Sequence, residues 1–426
     1  MKKHTATKSI WSSVALGVVL AISLAAAPAA AQNELARTQG FHAKAKLATL
    51  LSGGELTGWW LKNVARTLPT ASLPSQQPKV LRQGKQLNAA KISAATHLGK
   101  MTLAQALTHE KGGARGMIVV HRGKVVFESY PNMSQFDSHL WASVAKPTAA
   151  LLVEILIDQG RMQDTDLMTQ HVQDFKGTHW DKVRVVDLLD MTAGLDLVEN
   201  PVTRQNPNSI PIRTFLAEFG EPNMAGKIET VRDVLKAAQP LGEPGDKFDY
   251  SSSVTQALVL LAEEATKTPW PELMHEYVWS HTYAEAPLQV HLAPDGMAAA
   301  HGIMSSRLRD LARFGLLYTN DWKVAAKKRV VSKAAVRRIQ AAPRGYDFFI
   351  KGYSGPVMEG WLGASPKSNS RQWDAVFDDG AMFKGGLFGQ GLYVSPENDL
   401  VIAFFSKVLQ TPLGPFMRPI DAYLAR

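Results

Sequence analysis

Residues 143–160 read SVAKPTAALLVEILIDQG, and the rest of the chain is best interpreted outward from them. Beyond Lys146 the stretch is almost wholly apolar, which predicts a buried helix, and Gly160 stands where helices commonly end. Pro147 is tolerated only in the first turn of a helix, so we expect the helix to begin close to Ser143. A serine and a lysine three residues apart are therefore expected at the N-terminal end of one buried helix.

Strand-like runs lie on both sides of this helix, far apart in the chain. Residues 117–121 and 124–130 surround a tight turn, and residues 389–394 and 400–405 form a second pair. Further helices are predicted at 183–191, 229–238, 252–266, 270–279, 305–320, 332–341 and 415–424. Strands, a long helical middle and strands again predict an α+β fold, with a helical insertion over about 160–345.

The N-terminal segment has the pattern of a targeting signal. Residues 1–9 carry only positive charge, residues 10–31 carry none, and small residues end the stretch. This predicts a cleavable signal peptide over 1–31 and a periplasmic or secreted protein with no stable membrane insertion after cleavage. The alternative is an uncleaved anchor, since such an uncharged stretch could span a bilayer. Residues 32–110 are predicted to be a helical extension with a linker over 69–78, ahead of a main domain over 111–426.

The composition excludes several kinds of chemistry. The chain has 426 residues, no cysteine and a formal net charge of +9. Without thiols there is no disulfide, iron–sulfur cluster, Cys-ligated zinc or cysteine nucleophile. Three of the positive charges, Lys2, Lys3 and Lys8, belong to the N-terminal segment, and no run of five basic residues occurs. We therefore expect no nucleic-acid partner.

Ser143 and Lys146 have the spacing of a nucleophile and its base. Serine needs a neighbouring base, and a residue three positions later on a helix lies on the same face. A lysine can accept a proton only when it is neutral, and burial beside another cation lowers its pKa. The alternative is a capping serine with a solvated lysine, because Ser-x-x-Lys is expected about once by chance in a chain of this length.

Two further segments carry candidate chemistry. The Tyr250 phenol can relay a proton when a nearby cation favours its phenolate, and Ser252 follows it at the start of a predicted helix. Lys384, Gly385 and Gly386 precede the C-terminal strands, where paired glycines let a ligand approach the backbone and a lysine can attract a carboxylate. Taken singly, Tyr250 is better explained as a packed core tyrosine and Ser252 as a helix cap.

Taken in order, these elements resemble the serine β-lactamase and penicillin-binding-protein superfamily, whose pattern is S-x-x-K, then Y-x-N or Y-x-S, then K-T-G or a variant. Residues 183–195 and 302–315 are also similar to stretches common in that superfamily. The resemblance implies a β-lactamase/transpeptidase-like fold, an antiparallel sheet flanked by helices plus an inserted helical domain, and identifies 111–426 as a serine hydrolase domain. No metal or organic cofactor is implied.

The resemblance also implies roles for individual residues. Ser143 would be the acylated nucleophile, Lys146 and Tyr250 the proton-transfer pair, and Lys384 a cation lining the substrate cleft. The backbone N–H groups of Ser143 and Leu387 would form the oxyanion hole. Ser252, Lys384, Gly385 and Gly386 would contact the substrate.

Two departures from the superfamily pattern shape the expected substrate. Ser252 stands where true β-lactamases have Asn, and Gly385 where they have Thr or Ser. The motifs look more like those of 6-aminohexanoate-dimer hydrolases and family VIII esterases. We therefore expect a hydrolase of a small ester, amide or peptide. A DD-peptidase, a weak β-lactamase and a non-catalytic cell-wall-binding or sensor protein remain alternatives, and the oligomeric state stays open.

Four large side chains outside these motifs are weaker candidates. His301 is better explained as a structural histidine than as a residue of the cleft. Trp141, Trp361 and Trp373 could form a substrate wall, although tryptophans are more often simply packed.

Overall fold

The computed structural model describes residues 52–425 and, before them, Ala36 and residues 38–40, which are helical. The predicted signal peptide, residues 1–31, lies outside the described residues. The chain divides into two compact units, Met1–Ala43 and Lys44–Arg426. No helix among the described residues is long and apolar enough to cross a membrane.

The second unit combines many helices with antiparallel strands. The α-helices from residue 52 onward are α1 (Glu55–Trp60), α2 (Leu103–Thr108), α3 (Lys146–Asp158), α4 (Met168–His171), α5 (Val185–Leu189), α6 (Pro201–Gln205), α7 (Ile210–Phe219), α8 (Val231–Lys236), α9 (Ser252–Thr266), α10 (Trp270–Tyr277), α11 (Leu308–Leu316), α12 (Lys333–Ala341), α13 (Gly345–Phe349), α14 (Ser354–Leu362) and α15 (Met417–Leu424).

The strands are β1 (Thr70–Leu73), β2 (Ser93–Thr96), β3 (Gly99–Thr102), β4 (Ala114–His121), β5 (Lys124–Ser129), β6 (His139–Leu140), β7 (Leu288–His291), β8 (Met304–Ser306), β9 (Ser368–Ser370), β10 (Trp373–Val376), β11 (Met382–Gly386), β12 (Gln390–Ser395) and β13 (Leu400–Ser406). Seven of them form the main sheet in the order β5-β4-β13-β12-β11-β10-β9. A four-stranded sheet has the order β1-β7-β8-β6, and β2 pairs with β3.

The main sheet combines strands that lie before and after the helical region of the chain. β13 pairs antiparallel with β4, so that Ile402 lies opposite Val119 and Phe404 opposite Met117. The predicted α+β fold is confirmed: the strands before and after the helical region form one sheet. This pairing brings the C-terminal strands beside the segment that precedes Ser143.

Both faces of the main sheet are covered, and β13 shows why. Its even-numbered residues 400, 402 and 404 belong to one buried cluster, and its odd-numbered residues 401, 403 and 405 belong to another. Successive side chains of a strand point to opposite faces. The unbroken apolar run of β13 is therefore explained by helices on both sides, with α3 and α9 on one face and α15 on the other.

Helix α3 has the predicted form. Pro147 lies in its first turn, and the N–H of Gly160 donates to the carbonyl of Ile157 at 2.9 Å beyond its last residue. Gly160 has a φ of +68°, the left-handed conformation that favours glycine at a helix end. The predicted helix over 252–266 is also observed, as α9.

Several elements differ from the sequence-based expectation. β1 lies inside residues 69–78, the stretch expected to be a linker, and pairs with β7 more than 200 residues later. β7 and β8 lie inside the expected helical insertion, and α7, α13 and α14 were not predicted. These strands have only three or four residues, too few to show a period of two, and their pairing partners are distant in sequence.

Candidate active site

Ser143 lies in a tight turn that leads directly into α3. Residues Ala142–Ala145 form a 3-10 turn, and Ala142 has a φ of +47°. A non-glycine residue in this conformation is strained by roughly 1–3 kcal/mol, and such strain is concentrated at functional sites. The N–H of Trp141 donates to the Met304 carbonyl at 2.8 Å. Ser143 is partly exposed between buried neighbours.

Lys146, the first residue of α3, is fully buried. Its Nζ donates to Ser252 Oγ at 2.8 Å and to the His301 carbonyl oxygen at 3.0 Å. Among the described residues these, rather than Ser143, receive its hydrogen bonds. Burial is the main cause that lowers the pKa of Lys146 to about 7; Glu199 opposes this shift and Lys384 adds to it. At neutral pH the neutral amine is thus well populated.

Tyr250 lies between the two lysines. Its ring centroid is 4.6 Å from Lys384 Nζ and 5.3 Å from Lys146 Nζ, and its hydroxyl is within hydrogen-bonding reach of the Ser143 side chain. Burial, followed by the nearby Asp374 and Glu199 carboxylates, holds the pKa of Tyr250 well above its usual value. The expectation that a cation would favour the phenolate is therefore wrong for the resting site, because burial, together with the two carboxylates, favours the protonated phenol.

Glu199 is a residue of the site that sequence reasoning missed. Its Oε1 accepts from the N–H of Ser252 at 2.6 Å, and its Oε2 lies 3.3 Å from an Arg204 nitrogen. The Glu199 N–H in turn donates to the Tyr250 carbonyl at 2.8 Å. Burial alone would raise the pKa of Glu199, but Arg204 and Lys146 outweigh it and the pKa is lowered. A buried carboxylate thus fixes the start of α9, which carries Ser252.

Asp374 is a second carboxylate that no motif predicted. Lys384, expected as a cation lining the cleft, is fully buried and forms an ion pair with Asp374 Oδ1. Asp374 Oδ2 accepts from the Gly385 N–H at 3.0 Å. Burial lowers the pKa of Lys384 and Asp374 raises it, with a net lowering. The positive charge of Lys384 is therefore compensated by a carboxylate of the protein itself.

The two glycines after Lys384 let β11 approach the Ser143 turn. A Cβ at Gly386 would lie 2.8 Å from the Trp141 carbonyl oxygen and 3.1 Å from Ala142 Cβ, so no larger residue fits there. A Cβ at Gly385 would lie 3.2 Å from both the Trp361 and Phe383 rings. The end of β11, where Leu387 follows partly exposed, consequently lies against the turn that carries Ser143.

The structure also places the weaker candidates. His301 is buried, with its Nε2 2.9 Å from Glu218 Oε2, so it is a structural histidine whose carbonyl faces Lys146. Trp141 and Trp373 are packed inside the protein, whereas Trp361 is partly exposed beside Gly385. Within residues 52–425, no group of three or more His, Asp or Glu side chains is arranged to hold a metal ion.

The fold thus gathers all three sequence motifs at one place. The partly exposed Ser143 adjoins the Tyr250 phenol, and the buried Lys146 amine, with a pKa of about 7, lies 5.3 Å from the centroid of the Tyr250 ring. Such an arrangement can deprotonate a serine while it attacks an acyl carbon. Two buried carboxylates, Glu199 and Asp374, balance the two buried lysines.

Comparison with known proteins identifies the family of the chain. A family model described as Beta-lactamase matches residues 94–425. The chain is 27% identical over 352 residues to a 6-aminohexanoate-dimer hydrolase of Paenarthrobacter ureafaciens, covering 82% of this chain and 84% of the relative.

Solved structures share the fold. A Bacillus anthracis protein described as a candidate 6-aminohexanoate-dimer hydrolase superposes with a TM-score of 0.71 at 21% identity, covering 88% of this chain and 94% of the other. EstCE1, a hydrolase with promiscuous acyltransferase activity, superposes with a TM-score of 0.54 at 16% identity, covering 75% and 97%. Because the family model spans most of the chain, the protein belongs to the beta-lactamase family and is a serine hydrolase.

Proposed function

We propose that the protein hydrolyses a small amide or ester through an acyl-enzyme on Ser143, with Lys146 and Tyr250 as the proton-transfer pair. The observation that carries this proposal is the state of Lys146, which is fully buried and has a pKa lowered to about 7. A lysine that only stabilised the fold would gain nothing from such an environment, whereas a general base works best with a pKa near the operating pH.

The proton follows a short path in this proposal. Ser143 gives its proton to the Tyr250 hydroxyl as it attacks the carbonyl carbon, and the phenol passes its own proton to the neutral Lys146 amine. The protonated pair then gives a proton to the leaving alcohol or amine. Water attacks the acyl-enzyme in the second half-reaction, and the same groups return the proton to Ser143.

The developing negative charge would be held by backbone N–H groups. The turn that contains Ser143 and the residue after Gly386, Leu387, supply two donors on neighbouring segments. Such donors typically contribute about 3 kcal/mol each to transition-state stabilisation. The close approach of Gly386 to Trp141 and Ala142 supports this assignment, because it holds β11 against the nucleophile turn.

Linear amides and short esters are the substrates we favour. The curated relative is named for a 6-aminohexanoate dimer, which is an amide substrate, and Ser252 and Gly385 lack the side chains by which β-lactamases usually hold their substrates. Hydrolysis of D-alanyl peptides or of β-lactams ranks below. A non-catalytic binding or sensor role would leave the acyl-enzyme without turnover.

One experiment separates these possibilities. Purified protein is treated with a fluorophosphonate and examined by mass spectrometry, then assayed with p-nitrophenyl butyrate, a linear amide, a D-Ala-D-Ala peptide and nitrocefin. We expect a single adduct on Ser143 and turnover of the ester and the linear amide. Ser143→Ala abolishes both, and the matched control Ser93→Ala, an exposed serine of β2, changes neither.

Other outcomes would contradict this function or favour a different one. Turnover that survives Ser143→Ala overturns it, an adduct that never turns over indicates the binding or sensor role, and a large preference for nitrocefin indicates a β-lactamase.

We also propose a periplasmic or secreted location, which rests on the charge pattern of residues 1–31. Expression in a bacterium with and without these residues, followed by fractionation, tests this. Full-length and truncated chains in the same fraction would contradict it.

A further inference from the structure

Asp374 is a charged group of the site to which the proposed mechanism gives no role. We propose that it determines specificity: its carboxylate already occupies the anion-binding position beside Lys384, so the cleft takes amides and esters that carry no carboxylate near the scissile bond. This inference rests on the proposed function, and the experiment below distinguishes failure of one from failure of the other.

The pairing of β10 with β11 fixes the position of Asp374. Ala375 lies opposite Phe383 and Val376 opposite Met382, so the next position places Asp374 opposite Lys384. Side chains at such positions point to the same face of the sheet and interact directly. One carboxylate oxygen accepts from Lys384 Nζ and the other from the Gly385 N–H at 3.0 Å. The Asp374 carboxylate therefore accepts from two donors of the Lys384–Gly386 segment.

Two other cations of the site, Lys146 and Arg204, already have partners within the protein. The side chain that a Thr or Ser would place at position 385 is missing, and the Trp361 and Phe383 rings border that space, 3.2 Å from where a Cβ would lie. Lys146 donates to Ser252 and to the His301 carbonyl, and Arg204 is paired with Glu199. A carboxylate that entered here would lose its water without gaining one of these cations, which is strongly unfavourable.

The experiment compares substrates that differ only by a carboxylate. One pair varies the acyl side, p-nitrophenyl butyrate against mono-p-nitrophenyl succinate. The other varies the leaving side, phenyl acetate against 3-acetoxybenzoate. We expect the wild-type kcat/KM to favour the neutral member of both pairs. Because a hydrogen bond to a charged group is worth a factor of about ten or more, Asp374→Asn and Asp374→Ala should raise the relative kcat/KM of a charged member about tenfold, mainly through KM.

The pH dependence of this gain in relative kcat/KM is a second measurement, which should not change if the role of Asp374 were only structural. Without Asp374 the buried Lys384 loses the group that raises its pKa, so it must be protonated to bind a substrate carboxylate. The gain for the charged substrate should therefore decrease as the pH is raised.

Asp379→Asn is the matched control. It removes one negative charge close to the same sheet, but Asp379 is paired with Arg418 on the surface rather than with Lys384. In both substrate pairs we expect Asp379→Asn to leave the ratio of kcat/KM for the charged and the neutral substrate unchanged. Unchanged ratios in both Asp374 variants would overturn the inference, and so would a wild-type preference for the charged members, which needs no variant to fold. If esterase activity survives Ser143→Ala, the proposed function fails instead.

Discussion

Replacing Glu199 by Gln tests how the site sets the pKa of Lys146. The amide oxygen of the new side chain can still accept from the Ser252 N–H, so the start of α9 keeps its contact, while the negative charge is lost. Glu199 is the group that most raises the pKa of Lys146 against the effect of burial. Its removal should therefore lower the pKa of Lys146 below 7, and Arg204, left without its partner, should lower it further.

The size of the shift follows from the geometry. Lys146 and Glu199 contact Ser252 at its hydroxyl and its N–H, at 2.8 Å and 2.6 Å, and so face each other across one residue. The two contacts and the Ser252 atoms between them separate the two charges by up to about 8 Å. Unit charges about 8 Å apart interact by about 2 kcal/mol at an effective dielectric constant of about 20. Loss of this interaction of about 2 kcal/mol should lower the pKa of Lys146 by about 1.5.

The assay is the pH profile of kcat/KM for p-nitrophenyl butyrate, which reports the ionisations of the free enzyme. Since Lys146 must be neutral to accept a proton, activity should rise with pH through a wild-type midpoint of about 7. In Glu199→Gln the midpoint should move about 1.5 units to lower pH. Glu243→Gln, which removes the same charge from an exposed side chain, is the control and should leave the midpoint in place. A midpoint that stays or rises in Glu199→Gln would refute this account of Lys146.

Three further variants test other parts of the site. Tyr250→Phe keeps the ring between the two lysines but removes the hydroxyl near Ser143, so kcat should fall roughly 10²–10⁴-fold while Tm stays nearly constant; an active variant would exclude the relay. Lys146→Met removes the base but relieves the cost of a buried amine, so a similar loss of kcat should accompany an unchanged or higher Tm. Gly386→Ala places a Cβ 2.8 Å from the Trp141 carbonyl, so urea unfolding should show a loss of about 1–3 kcal/mol together with slower acylation, and unchanged stability would contradict the close approach.

The elements that could be predicted are those whose sequence pattern is local. The apolar run after Lys146, with Pro147 in the first turn and Gly160 at the end, predicts α3 almost to the residue because each signal acts within a few positions. Four of the seven strands of the main sheet, β4, β5, β12 and β13, are predictable for the same reason, since β4 and β13 are long enough to show a continuous apolar run. The other three, β9, β10 and β11, have only three to five residues and were not predicted. The linker predicted over 69–78 is wrong at β1, because the four residues of β1 form a strand only through pairing with β7.

Of the residues in the site, only those that lie in the sequence motifs could be predicted. Ser143, Lys146, Tyr250 and Lys384 follow the spacing of a known pattern, and the fold gathers them at one place. Glu199 and Asp374 lie in no motif, and each acts on a residue that the fold, rather than the sequence, brings close. An acidic residue in the strand before a Lys-Gly-Gly segment is the signal that could have indicated Asp374, because a short hairpin places the two strands side by side.

The charges of the site explain why one lysine is suited to be a base and the other is not. Both amines are fully buried, which lowers the pKa of each. Lys384 has a carboxylate in direct contact, whereas Lys146 contacts a hydroxyl and a carbonyl and feels Glu199 only across Ser252. An ion pair in direct contact favours the charged amine far more than a carboxylate beyond a serine. The distance of each carboxylate from its lysine therefore supports the proposal that Lys146 transfers the proton, while Lys384 is a compensated cation beside Tyr250.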